Sequence, residues 1–151
     1  MTATNFTTTI LVNQSPKEVF DAVNNVRGWW QGKIEGSTEK LNDEFTYRME
    51  EIHFSKQKLV EVIPNKKVVW LVTDSNLNFV INKSEWTETK ISFEISENEN
   101  KLDKYRTQLR FTHVGLVPKI ECYGGCSNAW SQLIEKSLFS LITTGKGKKV
   151  F

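Results

Sequence analysis

The chain has 151 residues, room for one domain (residues 1–151), with 20 Lys and Arg against 18 Asp and Glu. A net charge of +2 makes no electrostatic case for nucleic acid, and 38% hydrophobic with 25% charged residues suits an ordinary globular domain. The start, MTATNFTTTI, has neither a basic n-region nor a long apolar run, and two cysteines make no secreted disulfide framework, so the expectation is a cytoplasmic protein with no signal peptide or membrane span.

Phe6 to Val12, rich in Thr, Ile, Leu and Val, reads as a first strand with Phe6, Thr8, Ile10 and Val12 on one face. Ser15-Pro16-Lys17-Glu18 is a helix start. Ser15 caps, Pro16 suits the first helical position, and Glu18 completes a capping box. Val19, Phe20 and Val23 form a short apolar stripe that Asn24-Asn25 breaks. A second short helix or turn carries Val26 and ends in Arg27-Gly28-Trp29-Trp30. Neighbouring side chains diverge on regular structure, so one tryptophan is expected in the core and the other at a rim or an opening.

Gly32 to Ser37 reads as a second strand, weakened by Gly36. Asp43 to Glu50 is clearer, with Phe45, Tyr47 and Met49 alternating with Thr46, Arg48 and Glu50. Ile52 to Ile63 continues the meander, with His53, Lys56 and Lys58 edge-like and Leu59 to Ile63 buried. After a turn at Pro64 to Lys67, Val68 to Val72 is apolar on both faces and reads as a central strand, ended by Asp74-Ser75-Asn76. Leu77 to Lys83 reads as a loop holding a short strand. Trp86 to Ser96 alternates, with Ile91, Phe93 and Ile95 on one face. A polar connector, residues 97–103, leads to a last strand over residues 104–114 with Tyr105, Thr107, Leu109, Phe111 and His113 on one face.

Pro118 to Thr144 reads as one long amphipathic helix. With Trp130 at the centre of its inner face, Tyr123, Cys126, Leu133, Ile134, Leu138 and Leu141 fall on or beside that face. Ser137 sits near the middle of the same face, where a hydroxyl needs a partner. Phe139 points the other way, as a lone exposed aromatic or a partner contact, and the tail GKGKK (145–149) reads as a frayed, solvated end. A helix with Tyr, Cys, Trp and Ser facing inward suits a cavity better than a solid core. The order is one strand, two short helices, about six strands in series and one long helix, which makes an α+β domain whose sheet curls around the last helix.

Several of these stretches together resemble the START-like (SRPBCC) helix-grip superfamily, in the branch of the Hsp90 ATPase activator homologues. They are Ser15 to Phe20, Gly28-Trp29-Trp30, Ile63 to Trp70, Phe111 to Gly115, and Ala129-Trp130 followed by Leu133, Leu138 and Leu141. They span nearly the whole chain in order. The resemblance implies a curved antiparallel sheet of six or seven strands gripping the C-terminal helix around a cavity. Members of the superfamily bind lipids, sterols, polyketides or hormones, and some are cyclases or co-chaperones. The larger Hsp90 activators carry a further N-terminal domain, for which this chain is expected to have no room.

Pocket candidates are the inward aromatics and polar-tipped groups: Trp30, Tyr47, Trp70, Phe93, Tyr105, His113, Tyr123, Trp130 and Ser137. His113 reads either as a hydrogen-bonding or acid/base group at the pocket mouth, or as a tie between the last strand and the helix. His53, in a polar stretch, reads as incidental. Cys122 and Cys126, one helical turn apart, could join His113 in a zinc set, but their spacing is not that of a finger and free thiols are the simpler reading. No GxSxG, HExxH, phosphate loop or EF-hand is present, and no cofactor or metal is expected. The leading expectation is a non-enzymatic domain that binds a small apolar or amphipathic ligand. A co-chaperone-like protein-binding module and a small cyclase or hydrolase are the alternatives.

Overall fold

The computed structural model describes residues 4–98 and 105–150. β1 (Phe6–Val12) is followed by α1 (Pro16–Asn24), a single 3-10 turn (Val26–Gly28), and then β2 (Lys33–Gly36), β3 (Glu44–Met49), β4 (His53–Ile63), β5 (Lys67–Leu77), β6 (Lys90–Glu97) and β7 (Thr107–Val114). The seven strands form one antiparallel sheet in the order β1-β7-β6-β5-β4-β3-β2. The sequence ends in a helix of three parts: α2 (Tyr123–Gln132), a π-helical segment (Leu133–Leu138) and α3 (Phe139–Thr144). This is the helix-grip architecture. Register shifts between Lys56 and Gln57 and between Leu59 and Glu61 place bulges in β4, which bend the sheet toward the helix.

Local chemistry accounts for the first elements. The Ser15 hydroxyl accepts from the Glu18 amide and the Glu18 carboxylate accepts from the Ser15 amide, so the capping box is complete. β1 pairs with β7 from Phe6↔His113 to Val12↔Thr107, burying Ile10 and Val12. α1 buries Val19 and Val23.

Several elements differ from their sequence reading. The C-terminal helix begins at Tyr123, not Pro118; residues 118–122 form turns. In the π segment each main-chain bond closes one residue later than in an α-helix, which shifts the inward face by one position. Ile142 is therefore buried while Leu141 is only half-buried. Phe139 is half-buried and packs on the core, so it is not an exposed aromatic.

β4 is a central strand, paired with both β3 and β5, and not an edge. Its inward positions are the polar Ser55 and Gln57 followed by Leu59, while Val60 and Ile63 face solvent. β5 runs through Asp74, Ser75 and Asn76 to Leu77. Leu77 belongs to β5, and residues 78–89 are turns with no strand, so Trp86 is a loop residue. β7 starts at Thr107, and residues 99–104 of the expected connector and last strand lie outside the described residues. The basic tail packs back on the domain: the Lys148 amide donates to Ser137 Oγ at 3.1 Å and the Val150 amide to Gln31 Oε1 at 2.5 Å. Gly147 makes this possible, since a Cβ there would lie 2.2 Å from the Gly28 carbonyl oxygen. Among the described residues no helix is long and apolar enough to cross a membrane.

Candidate functional site

One end of the space between helix and sheet is hollow. β3 contributes Tyr47 and Met49 from its last inward positions, and a tight turn with Glu50 at φ 49° brings Ile52 and His53 back on the start of β4. The 78–89 loop supplies Phe79 and Trp86, the segment after the 3-10 turn supplies Trp30, and the helix supplies Cys126, Ala129, Trp130 and Leu133. They enclose an open cavity of about 460 Å³. The loop is fixed to the helix start from both sides. The Glu85 carboxylate accepts from the Glu121 and Cys122 amides at 3.1 and 3.2 Å, and the Ile81 amide donates to Glu121 Oε1 at 2.9 Å.

Five rings of the lining form a closed circuit. Tyr47 stacks on Trp30 with centroids 3.9 Å apart, and Trp30 meets Trp130 at 5.1 Å. Trp130 lies near-parallel to Trp86 at 5.7 Å. His53 closes the ring edge-on, 4.5 Å from Trp86 and 5.1 Å from Tyr47. The other four pairs fall within the range of favourable aromatic contact, and Tyr47 lies closer still, stacked face to face on Trp30.

Burial keeps Tyr47 and both histidines neutral here. The Tyr47 phenol is pushed well above its ordinary range and donates to the Gln31 carbonyl at 2.5 Å. Burial lowers His53 from 6.5 to about 4, and its Nε2 lies 3.1 Å from Ser55 Oγ. His113 is fully buried and lowered to about 3, first by desolvation and then by His53. Its tautomer follows from its partners. Thr89 Oγ1 donates its one proton to the Trp86 carbonyl, so it must accept from His113 Nε2 at 2.8 Å. His113 Nδ1 is then the acceptor for the Trp130 indole N–H at 3.1 Å. The chain Trp130–His113–Thr89–Trp86 fixes two cavity-lining tryptophans to each other. Cys122 and Cys126 are free buried thiols whose mutual hydrogen bond raises Cys122 and lowers Cys126, so that the pair holds its last proton jointly. The Trp86 indole N–H has no nitrogen or oxygen partner and acts on both sulfurs, favouring the thiolate.

Of the nine residues expected to line a pocket, Trp30, Tyr47 and Trp130 meet in the cavity wall. His113 lies behind that wall, with both ring nitrogens engaged. Trp70 and Phe93 are in the solid core, with ring centroids 4.9 Å apart. Ser137 is buried at the other end of the helix, donating to the Trp29 carbonyl at 2.7 Å. Tyr123, the first residue of α2, packs half-buried on the core outside the lining. Tyr105 precedes β7, eight residues from His113 and thus about 26 Å away along an extended strand. Trp29 and Trp30 divide between core and opening as expected, Trp29 packing on Trp70 and Phe93 and Trp30 lining the cavity, although both are buried and their rings are near-parallel at 6.2 Å on the irregular backbone after the 3-10 turn. Among the described residues no cluster of three His, Cys, Asp or Glu could hold a metal.

His53 and Trp86 were not among the expected residues. A signal for His53 was available, since on a period of two it shares the parity of the apolar, inward Leu59. Trp86 carried none, because its place depends on loop contacts with the helix.

No protein-family model matches the chain, and no curated protein matches it. Among solved structures, it is similar to the Aha1 dimer from Colwellia psychrerythraea, at 25% identity and a TM-score of 0.73, over 95% of this chain and 99% of that one. It is also similar to a Mesorhizobium loti protein, at 16% identity and 0.69, covering 92% and 96%. A Staphylococcus aureus protein described as of unknown function is similar at 14% and 0.68, covering 95% and 96%. The chain therefore has the START-like helix-grip fold of which the Aha1-type domain is one form.

Proposed function

We propose that this domain binds a small, mostly apolar ligand in the cavity between its C-terminal helix and the β3–β4 end of its sheet. The carrying observation is the open volume of about 460 Å³ walled by a closed circuit of aromatic rings. Cavities of roughly 300–1,000 Å³ with apolar walls are the usual form of small-molecule sites. The test is a titration with N-phenyl-1-naphthylamine, a neutral apolar fluorophore, read by probe emission and by amide shifts in two-dimensional NMR. Binding should move the Ala129 and Trp130 amides and leave the Phe93 amide in place. A saturating titration with no shift on the helix overturns the reading.

A second reading, a protein-binding module of the Hsp90-activator kind, draws on a different observation. Ile52 and Phe79 at the cavity mouth are 48% and 47% exposed, and Ile81 beside them is 91% exposed. Exposed apolar groups gathered at one rim suit a partner surface. The similar Colwellia structure is a dimer. Sedimentation of the purified chain, and the ATPase rate of an Hsp90-type chaperone with and without it, test this reading. A monomer that leaves the rate unchanged dismisses it. A cyclase or hydrolase reading draws least support, because His113 has both nitrogens engaged and Tyr105 lies before the far end of β7.

A further inference from the structure

The cavity combines an aromatic circuit with a one-sided charge. Among the described residues, Glu50, at the mouth, is the single charged side chain in its lining. No lysine or arginine among the described residues lines it. A carboxylate ligand entering the cavity would lose hydration without meeting a cation, at a large cost. His53 does not supply one, since burial lowers it to about 4 and leaves it neutral at pH 7. The ring faces of Trp and Tyr carry negative potential that attracts an organic cation, most strongly where water is excluded.

The polar atoms narrow the class further. The Tyr47 hydroxyl spends its proton on the Gln31 carbonyl, and His53 Nε2 pairs with Ser55 Oγ. A primary ammonium would bring three N–H donors into a wall that is mostly apolar and offers few acceptors, chiefly the remaining lone pair of the Tyr47 oxygen and the Glu50 carboxylate at the mouth. A methylated ammonium brings no N–H and has an apolar skin of methyl groups that matches the rings.

We propose that the cavity is a cation-selective site for a quaternary or fully methylated ammonium group attached to an apolar body. The charge sits against the rings of Tyr47, Trp130 and Trp86, with Trp30 stacked behind Tyr47, and the apolar body lies along Ile52 and Phe79. Glu50 supplies a long-range attraction from the mouth. This rests on the small-molecule reading above, which is indifferent to the ligand's charge.

The test uses three probes with one apolar body, decyltrimethylammonium, decanol and decanoate, each below its micelle concentration. Binding is followed by tryptophan emission and by the Trp130 indole N–H resonance. The ammonium should bind about tenfold or more tighter than decanoate, with decanol between them. If decanol binds and the ammonium binds no tighter, the inference is overturned and the small-molecule reading stands. If none of the three binds, the small-molecule reading falls and the inference with it. Trp86→Leu should cut the ammonium preference over decanol several-fold, and Glu50→Gln, at an exposed site, about twofold. A preference that survives both substitutions unchanged overturns the cation assignment.

Discussion

The two ends of the helix–sheet interior are built from the same residue types and do opposite things. At the closed end Trp29, Trp70, Phe45, Phe93 and Phe111 pack into one another, and Trp70 has centroids 5.0 Å from Phe45 and 4.9 Å from Phe93. Phe93 in turn lies 5.3 Å from Phe111. At the open end Trp30, Tyr47, Trp86 and Trp130 are just as buried, yet they stand around a space. Burial therefore does not separate core from site here. What separates them is what stands on the far side of each ring. Trp70 is enclosed by strands and Trp29, whereas Trp86 hangs from a loop and is held by a hydrogen-bond chain through Thr89 and His113.

The sharpest break of this contrast is Phe93→Ala. It removes a fully buried ring between three others and should cost about 3–5 kcal/mol in urea unfolding. Neutral-probe affinity in the protein that remains folded should be unchanged. A large loss of affinity would mean that the two ends are not separable. Ser137→Ala comes next. Its hydroxyl donates to the Trp29 carbonyl and accepts from the Lys148 amide, so its loss leaves a buried carbonyl unpaired and frees the tail, at about 1–3 kcal/mol. Hydrogen exchange at the Lys148 and Val150 amides should rise with it. Protection that persists would show that the tail is held by other contacts.

Sequence alone carried most of the closed end and little of the open one. β1 and α1 follow from alternation and a capping box, which are local, and both lie where those signals put them. Inward Phe93, Leu109 and Phe111 follow from a period of two. The open end draws on five separated segments, and the alternation that reads so well from Ile91 to Ile95 misleads at Trp86, which the chain reaches through turns. β4 hides its role because it turns polar residues inward: Ser55 accepts from Gln57 Nε2, and Gln57 Oε1 is left without a partner. The helix face was legible as far as Leu138, since Leu133, Ile134, Ser137 and Leu138 are all buried as their spacing predicts. After the π segment the register has advanced by a residue, so Ile142 is buried in place of Leu141, and a 3.6-residue period cannot foresee that.

The two histidines offer a smaller effect that also divides the ends, since both are at the open one. Each folded-state value lies below the ordinary 6.5, so the unfolded chain binds more protons as pH falls below it. Their contribution to stability is full above pH 6.5 and is lost as pH drops toward the folded values of about 4 and 3. His113, fully buried, contributes a slope of at most about 1.4 kcal/mol per pH unit inside that window. His113→Asn keeps an acceptor for the Trp130 indole and removes the titration. Urea unfolding at pH 6.5, 5.8 and 5.0 should show a shallower loss of stability in the variant. Equal slopes would place the proton uptake elsewhere.

The smallest stability effect is expected where the functional effect is largest. Ala129 lines the cavity from the helix, and a phenylalanine there has empty space to enter, so Ala129→Phe avoids the strain of overpacking a filled core. Lower helix propensity costs about 0.5 kcal/mol and added apolar contact offsets it, so the unfolding midpoint should stay within about 1 kcal/mol of the parent. The added ring takes up much of the open volume, and both the neutral fluorophore and decyltrimethylammonium should lose at least about tenfold in affinity. The same substitution in a solid region would destabilise by overpacking and leave binding alone. A variant that is markedly less stable and still binds both probes would show that the helix already meets the wall at Ala129 and that the probes occupy another surface.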